Sequence, residues 1–523
     1  MDIILDNLPG LLIAIPLLGA FLTPLVSRAG DAARNIWVLL TVALTSLCGL
    51  LIASRVLETG TIVYTFGVQH LSEIIPPDSG GIPIRIIFTI DPLSAFMLII
   101  ASIVSFCIIL YSLSSMEKLS GKDGFFTLLL LLIAGVYGMI ATGDLFNFFV
   151  FLEISSLAGA ALVAYRIDKG VAAEAGLKYA ALSTLGGLLF LVAIGFLYVQ
   201  YNSLNMAVIA SRMNLTGLDI IAFVLFFTAL AMKCGAVPMH FWTPDSYAMA
   251  PSAVTAFLVV SSQASLYALF RVCFTLYGGQ INPLTVGWVM IILGVLSMFI
   301  GVTMAIPQKD VKRLMAYHAV SQTGYMLLGV GVGLAALSST CMFNSVGMTA
   351  LKGGLFHIMN HALYKGLLFL TAGVIMYRCG TRNLNQLGGL GHNMKWTMVF
   401  FMIGALAIAG IPPFNGFASK LLIYESTFLF NPLLAVIAMV VSILTLASFV
   451  KVFHSMFMGP KLPEYEDVKE APAPMLIAMA ILAILVILFG IFPQTVIDTL
   501  VAPAATALID YHGYAAAVLG AQS

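Results

Sequence analysis

Three titratable side chains, His357, His361 and Lys365, follow one another at steps of four residues. On an α-helix each such step drifts by only about 40°, so the three fall on one face. Imidazole changes charge near neutral pH. A lysine loses proton affinity when desolvated and regains it beside a carboxylate, so a row of such groups can pass a proton along. Other ionisable residues lie inside apolar runs: Glu153 within 148–156, Lys233 within 230–235, and Lys420, with Glu425 five residues on. Holding a charge at the centre of a bilayer costs at least ~2.5–3.5 kcal/mol on insertion scales, so residues of this kind point to function. The chemistry they suggest is proton relay. The competing reading is buried salt bridges, or long side chains reaching out from helix ends. That reading suits Lys352, Glu425 and Lys178, which sit nearer segment ends, better than Glu153, Lys233 and Lys365.

Rival chemistries fare poorly. His357-Ile-Met-Asn-His361 lacks the glutamate of H-E-x-x-H, which argues against zinc hydrolysis. Two histidines on one face cannot clasp a haem from opposite sides, and His240 or His318 as a haem partner has no other support. The six cysteines (Cys48, Cys107, Cys234, Cys273, Cys341 and Cys379) form no C-x-x-C pair, and most sit in apolar runs. They read as packing residues, not as a disulfide frame or a metal site. Phosphate-loop and dinucleotide motifs are lacking too. No cofactor, no metal and no catalytic site are expected in this chain.

These side chains must be positioned by membrane helices. Of 523 residues 61% are apolar and only 9% charged, and the mean hydropathy is +1.04. Soluble domains carry about 25% charged residues, so a soluble enzyme is excluded. With 24 basic against 23 acidic residues and no basic block, nucleic acid is excluded as a partner. The apolar runs are near twenty residues long and do not alternate, which fits spanning helices and not a β-barrel. The expected fold is an all-α polytopic membrane protein of about fourteen helices. The segments are 8–26, 36–54, 92–115, 125–143, 144–166, 175–200, 219–242, 250–277, 284–306, 314–336, 343–377, 397–430, 432–457 and 474–491. A last apolar stretch, 493–519, is rich in small residues and reads as interfacial. The first segment begins with Asp2 and Asp6 and has no basic lead, so no cleavable signal peptide is expected.

Sixteen basic residues fall in odd-numbered connections and four, Arg55, Arg85, Arg212 and Arg271, in even ones. The positive-inside rule then puts odd loops in the cytoplasm and both termini outside a cell membrane. Between 55 and 91, the strand-like runs 61–68 and 84–90 flank a Pro/Gly-rich turn at 76–81. They predict an extracytoplasmic β-hairpin.

An internal repeat divides the chain. Residues 187–198 (GLLFLVAIGFLY) and 366–377 (GLLFLTAGVIMY) share seven of twelve positions at an offset of 179. Lys233 precedes the break Gly235-Ala-Val-Pro238, and Lys420 follows the break Gly410-Ile-Pro-Pro413. Broken helices free backbone groups that only protein or water can satisfy at membrane depth, and paired broken helices mark ion transporters. The offset spans five helices, so the copies run antiparallel and the repeat is inverted. The expected organisation is N-terminal helices and hairpin over 1–124, a first half-channel over 125–277, a second over 284–457, and a C-terminal loop, helix and tail over 458–523.

At this point a resemblance is plain. The chain resembles the antiporter-like subunit family shared by respiratory complex I, Mrp-type Na⁺/H⁺ antiporters and membrane-bound hydrogenases. The motifs run from about residue 90 to 425. They are Gly143-Asp-Leu-Phe-Asn-Phe-Phe-Val-Phe-Leu-Glu153, Lys233-Cys-Gly-Ala-Val-Pro-Met-His-Phe-Trp-Thr-Pro-Asp245, Ala250-Pro-Ser, the stretch from Asp310-Val-Lys-Arg to Gly324, His357-Ile-Met-Asn-His-Ala-Leu-Tyr-Lys365, and Gly410-Ile-Pro-Pro-Phe-Asn-Gly-Phe-Ala-Ser-Lys420. The resemblance implies fourteen helices with two inverted five-helix bundles, each containing a broken helix. It implies that Glu153 pairs with Lys233, that His357, His361 and Lys365 form a central relay, and that Lys420 is the terminal lysine. His318, Gln263, Lys178 and Glu425 are further candidates. Gln263 stands where many members carry a lysine or histidine, and an amide holds no proton charge. The stretch around His318 resembles hydrogenase-type and Mrp D-type subunits. The implied activity is proton translocation, with Na⁺ as a second candidate ion, inside a complex with other membrane subunits in the lipid bilayer. The alternative is a secondary cation/proton antiporter that works alone. A redox subunit with its own quinone or haem is a third reading, for which the sequence offers no motif.

Overall fold

The computed structural model describes residues 5–66, 86–115, 120–166 and 169–520. Its main helices are α1 (Leu8–Val26), α2 (Asp31–Thr59), α3 (Pro92–Ser115), α4 (Lys122–Ala141), α5 (Leu145–Val163), α6 (Gly170–Tyr201), α7 (Gly217–Lys233), α8 (Trp242–Met249), α9 (Ser252–Phe270), α10 (Pro283–Ala305), α11 (Val311–Ala336), α12 (Met348–Cys379), α13 (Lys395–Ala409), α14 (Asn415–Phe430), α15 (Pro432–Phe457), α16 (Ala473–Ile491), α17 (Ala502–Ile509) and α18 (Tyr511–Leu519).

Twelve helices among the described residues are long and apolar enough to cross a membrane. Two of the fourteen expected segments are not single helices. The segment read as 219–242 is α7, a break, and then α8, which carries on to Met249. The segment read as 397–430 is α13 and α14 on either side of residues 410–414. Each break starts at a glycine in the left-handed region, Gly235 at φ +75° and Gly410 at φ +78°. A side chain there would be strained. The prolines that follow cannot donate to a helix and hold the chain out of it.

Local signals set the helix starts. Asp144 caps α5 by accepting from the Asn147 backbone N–H at 2.7 Å. Thr216 and Asp219 form a reciprocal capping box at the start of α7. Close packing then needs small residues. A Cβ on Gly294 of α10 would lie 2.8 Å from the Gly324 carbonyl oxygen of α11, and one on Gly301 would lie 2.6 Å from the Ser321 nitrogen. Spaced by seven residues, these glycines let two backbones touch, as membrane helices without a hydrophobic drive between them require.

The repeat is visible in the packing. Helices α4–α5, α5–α6, α6–α7 and α7–α9 pack in the first unit, and α10–α11, α11–α12, α12–α13 and α13–α15 pack in the second. The partners α6 and α12 are both 32 residues long. Each carries the shared motif and packs between the neighbours expected of it in its own unit. Counting each broken pair as one crossing, equivalent helices lie five crossings apart, which reverses their direction.

Helices α11 and α12 are buried along their whole spanning windows, whereas α1, α15 and α16 bury less than half of theirs. The buried pair carries the polar side chains, and the outer helices present Leu, Ile, Val and Phe. At the N-terminal end, Ile62–Thr65 and Ile87–Ile90 pair antiparallel, with Ile62 opposite Ile90. This is the expected hairpin in shorter form; its turn at 76–81 lies outside the described residues. The stretch 493–519 is helical except around Asp510, and Ala504, Ala505 and Leu508 are fully buried where α17 packs on α3. Arg271, counted above among the loop cations, is instead buried in an ion pair with Asp91 and lies 5.2 Å from the Tyr514 ring of α18.

Candidate functional site

The first cluster sits where α5, α6 and α7 meet. The Lys233 ammonium lies 3.6 Å from the Glu153 carboxylate and donates to Ser156 Oγ at 2.5 Å. Lys233 is the last residue of α7, so the break leaves its ammonium beside α5. The backing wall is a glycine pair on α6. A Cβ on Gly187 would fall 2.1 Å from Glu153 Oε1, and one on Gly186 would fall 3.4 Å from Lys233 Cε. The carboxylate and the lysine stem thus occupy space that side chains on α6 would otherwise take.

Across the break, Trp242 Nε1 donates to the Met232 carbonyl at 3.0 Å, and its ring packs edge-on against Tyr247 at 5.9 Å. Tyr247 donates to the Leu258 carbonyl and reaches Ser262 Oγ at 3.2 Å. Ser262 adjoins Gln263. The Gln263 amide donates to the Ile358 carbonyl at 3.0 Å and lies 2.8 Å from His361 Nδ1. Gln263 therefore contacts the central helix directly.

The three titratable residues of α12 are fully buried, on one broad face, but they address different neighbours. His361 meets Gln263 of α9. His357 Nδ1 is 3.0 Å from Ser419 Oγ of α14, and its Nε2 is 3.1 Å from Gln322 Oε1 of α11. Tyr364 donates to Gln322 Oε1 at 3.2 Å. Lys365 donates to the Met315 carbonyl at 2.6 Å, with its ammonium 5.9 Å from the Phe449 ring. His318 packs on the same ring at 4.9 Å, and neither of its ring nitrogens has a partner among the described residues. The drift of 40° per step is what spreads three residues of one face over α9, α11 and α14.

The last cluster lies at the second break. Lys420 donates to the Ile408 carbonyl at 2.7 Å and to Ser442 Oγ at 3.0 Å. Ser442 in turn donates to the Ala409 carbonyl at 2.9 Å. Both carbonyls belong to the final turn of α13, where the break ends the helix ladder. The Lys420 ammonium stands 4.8 Å over the Tyr325 ring, and that ring is 5.6 Å from His357.

Two candidates lie away from this chain of groups. The Lys178 side chain is 47% exposed and is held by Glu174 at 2.7 Å and Asp245 at 3.0 Å. Glu425 is exposed on α14. Five residues turn a helix through about 140° beyond a full turn, which carries Glu425 off the face of Lys420. Sequence reasoning overlooked Ser156, Tyr247, Gln322, Tyr325, Ser419 and Ser442. Gln322 and Ser419 lie inside the motifs quoted above, but an uncharged polar residue in a membrane helix carries no cost that singles it out.

Residues 142–445, more than half of the chain, match the family described as NADH:quinone oxidoreductase/Mrp antiporter, TM. This chain belongs to that family. Residues 77–126 match the description NADH-Ubiquinone oxidoreductase (complex I), chain 5 N-terminus. The chain is 30% identical to the D subunit of the Na(+)/H(+) antiporter of Bacillus subtilis, over 98% of this chain and 100% of that protein. It is 31% identical to the N subunit of the NADH-quinone oxidoreductase of Desulforudis audaxviator, over 95% of this chain and 98% of that one. Its fold is similar to a chain in the structure of the Mrp complex from Dietzia sp., with a TM-score of 0.84 and 26% identity, covering 99% of this chain and 100% of that chain. The resemblance read from the motifs is thus the family found by comparison.

Proposed function

We propose that this chain is the proton-translocating subunit of a multi-subunit membrane complex of the Mrp antiporter, hydrogenase or complex I kind. The observation that carries this reading is the succession of buried and half-buried groups that crosses both repeat units. It runs Glu153–Lys233, then Trp242, Tyr247 and Ser262, then Gln263–His361, then His357 with Gln322 and Ser419, then Tyr325 and Lys420. Residues 125–277 and 284–457 act as two half-channels. A proton is taken up through the first and released near Lys420 through the second. Like charges disfavour one another's protonation, so a change at one lysine is felt at the next. Lys365 and His318, which both contact the Phe449 ring, supply the middle of the row. The Glu153–Lys233 contact acts as a switch: separation of the carboxylate from the ammonium makes the lysine a weaker holder of its proton. Odd connections face the cytoplasm and both termini lie outside. Protons are the primary ion, with Na⁺ the candidate counter-ion in an antiport cycle.

Both of these relatives are named as subunits of larger assemblies, which supports a chain that works among partners. The decisive test is Lys420→Ala in the assembled complex. Ion flux in vesicles is expected to vanish while assembly persists, because the charge serves transport and Ser442 still caps the Ala409 carbonyl at the end of α13. Lys178→Ala, at an exposed ion pair, is expected to do much less. Normal flux in Lys420→Ala with assembly confirmed would remove the proposed exit. If the chain purifies in mild detergent without other membrane subunits and still catalyses exchange, the stand-alone antiporter replaces the complex.

A further inference from the structure

A second polar site lies away from the proton row, where α3, α6, α9, α11 and α12 end. A cavity of about 130 Å³ opens there, far above the ~10–15 Å³ one water needs. Among the described residues its charged lining is basic: Arg166, Lys169, Lys312 and Arg382. These come from three different odd connections, up to 216 positions apart (166 to 382), so only the fold brings them together.

Lys312 is the decisive member. It is 1% exposed, it lines the cavity, and its ammonium donates to the Ala250 backbone carbonyl. An ammonium has three donors and strongly favours a counter-charge once buried. Among the described residues, the only carboxylate in ion-pair contact with any of the four cations is Asp310, 3.1 Å from Arg382. Arg382 also donates to the Ala248 carbonyl. Positive-inside topology explains basic loops, but it does not require their convergence on a buried lysine. Such a lining repels protons and Na⁺, which sets the cavity apart from an uptake route for either.

We propose that this cavity binds a phosphate group, held by Lys312 at its floor and by Arg166, Lys169 and Arg382 at its mouth. The setting suits the headgroup of an anionic phospholipid. The site lies at helix ends, Lys169 at the mouth is exposed, and the wall includes Tyr377, Met376 and Ala172, which an apolar chain can lie against. Basic pockets between membrane helices hold such headgroups through charge-assisted hydrogen bonds. Because the cavity touches both α6 and α12, a bound phosphate ties the two repeat units together at one membrane face.

The test uses the full chain in its native assembly, purified in mild detergent and stripped of lipid. Binding of phosphatidylglycerol, phosphatidylcholine and inorganic phosphate is compared by native mass spectrometry and by protection of Lys169 from amine acylation. Phosphatidylglycerol is expected to bind and protect at least tenfold better than phosphatidylcholine, and Arg166→Gln/Lys169→Gln to lose that preference. Protection by inorganic phosphate alone, with no lipid preference, would keep the site and assign it to a soluble phosphate. Lys312→Met is expected to weaken binding as well. The protection measurement on the unsubstituted protein stands even if that variant does not assemble. The proposal is overturned if neither anion protects Lys169, or if assembled variants bind like the unsubstituted protein.

Discussion

Gly187 offers a way to disturb the Glu153–Lys233 contact without removing either charge. Alanine in its place puts a methyl carbon 2.1 Å from Glu153 Oε1. Ordinary contact between such atoms is about 3.5 Å, so the carboxylate must retreat by roughly 1.4 Å. It sits at the end of a flexible side chain and can do so while the backbone stays put. The Lys233 stem lies against the neighbouring Gly186 and its ammonium is anchored to Ser156 of α5, so the lysine stays in place while the carboxylate moves, and the whole retreat taken along the contact sets the largest separation. The separation then grows from 3.6 Å to about 5 Å. With an effective dielectric constant near 20, the attraction falls from about 4.6 to about 3.3 kcal/mol. A loss of about 1.3 kcal/mol is close to a tenfold bias toward the separated pair. The helix itself gains from alanine, which is favoured over glycine by about 1 kcal/mol, so α6 is expected to form and the protein to assemble. The assay is fluorescence-detected proton flux in inverted vesicles, with assembly checked on the same membranes. The expected result is a several-fold change in flux for Gly187→Ala and none for Gly195→Ala, a site on the same helix where a Cβ meets nothing within 4 Å. Unchanged flux in an assembled Gly187→Ala protein would refute a switch at this pair.

Gln263→Leu removes the contacts to Ile358 and His361. It is expected to cut flux several-fold with assembly intact, as loss of a buried hydrogen bond worth about 1 kcal/mol implies; undiminished flux would take Gln263 out of the route. Gly294→Leu drives a side chain into the α11 backbone, which cannot move aside as a side chain can. Overpacking of this kind costs ~1–3 kcal/mol or more, so reduced folded protein in the membrane is expected, read by detergent-solubilised yield and thermal unfolding. A cysteine placed beside Glu466 is expected to resist impermeant reagents added outside intact cells, and labelling there would invert the proposed orientation.

The class and much of the candidate site were legible because burying charge in a bilayer is costly. Glu153, Lys233, Lys365 and Lys420 stand out in apolar runs, and the steps of four on α12 give a shared face from helix geometry alone. Glycine and proline marked both breaks, since few other residues end a helix at membrane depth. The duplicated stretch at 187–198 and 366–377 falls on α6 and α12, the two 32-residue helices. What the sequence did not determine is which uncharged side chains link the charged ones. Tyr247, Gln322, Tyr325 and Ser419 do so through contacts between helices far apart in the chain, and their local surroundings resemble those of many packing residues. The fate of Lys178 was also tertiary, since Asp245 from a distant segment holds it, whereas the five-residue spacing alone turns Glu425 off the Lys420 face. The same holds for the basic cavity, whose four cations belong to separate connections and acquire a common purpose only when five helix ends meet.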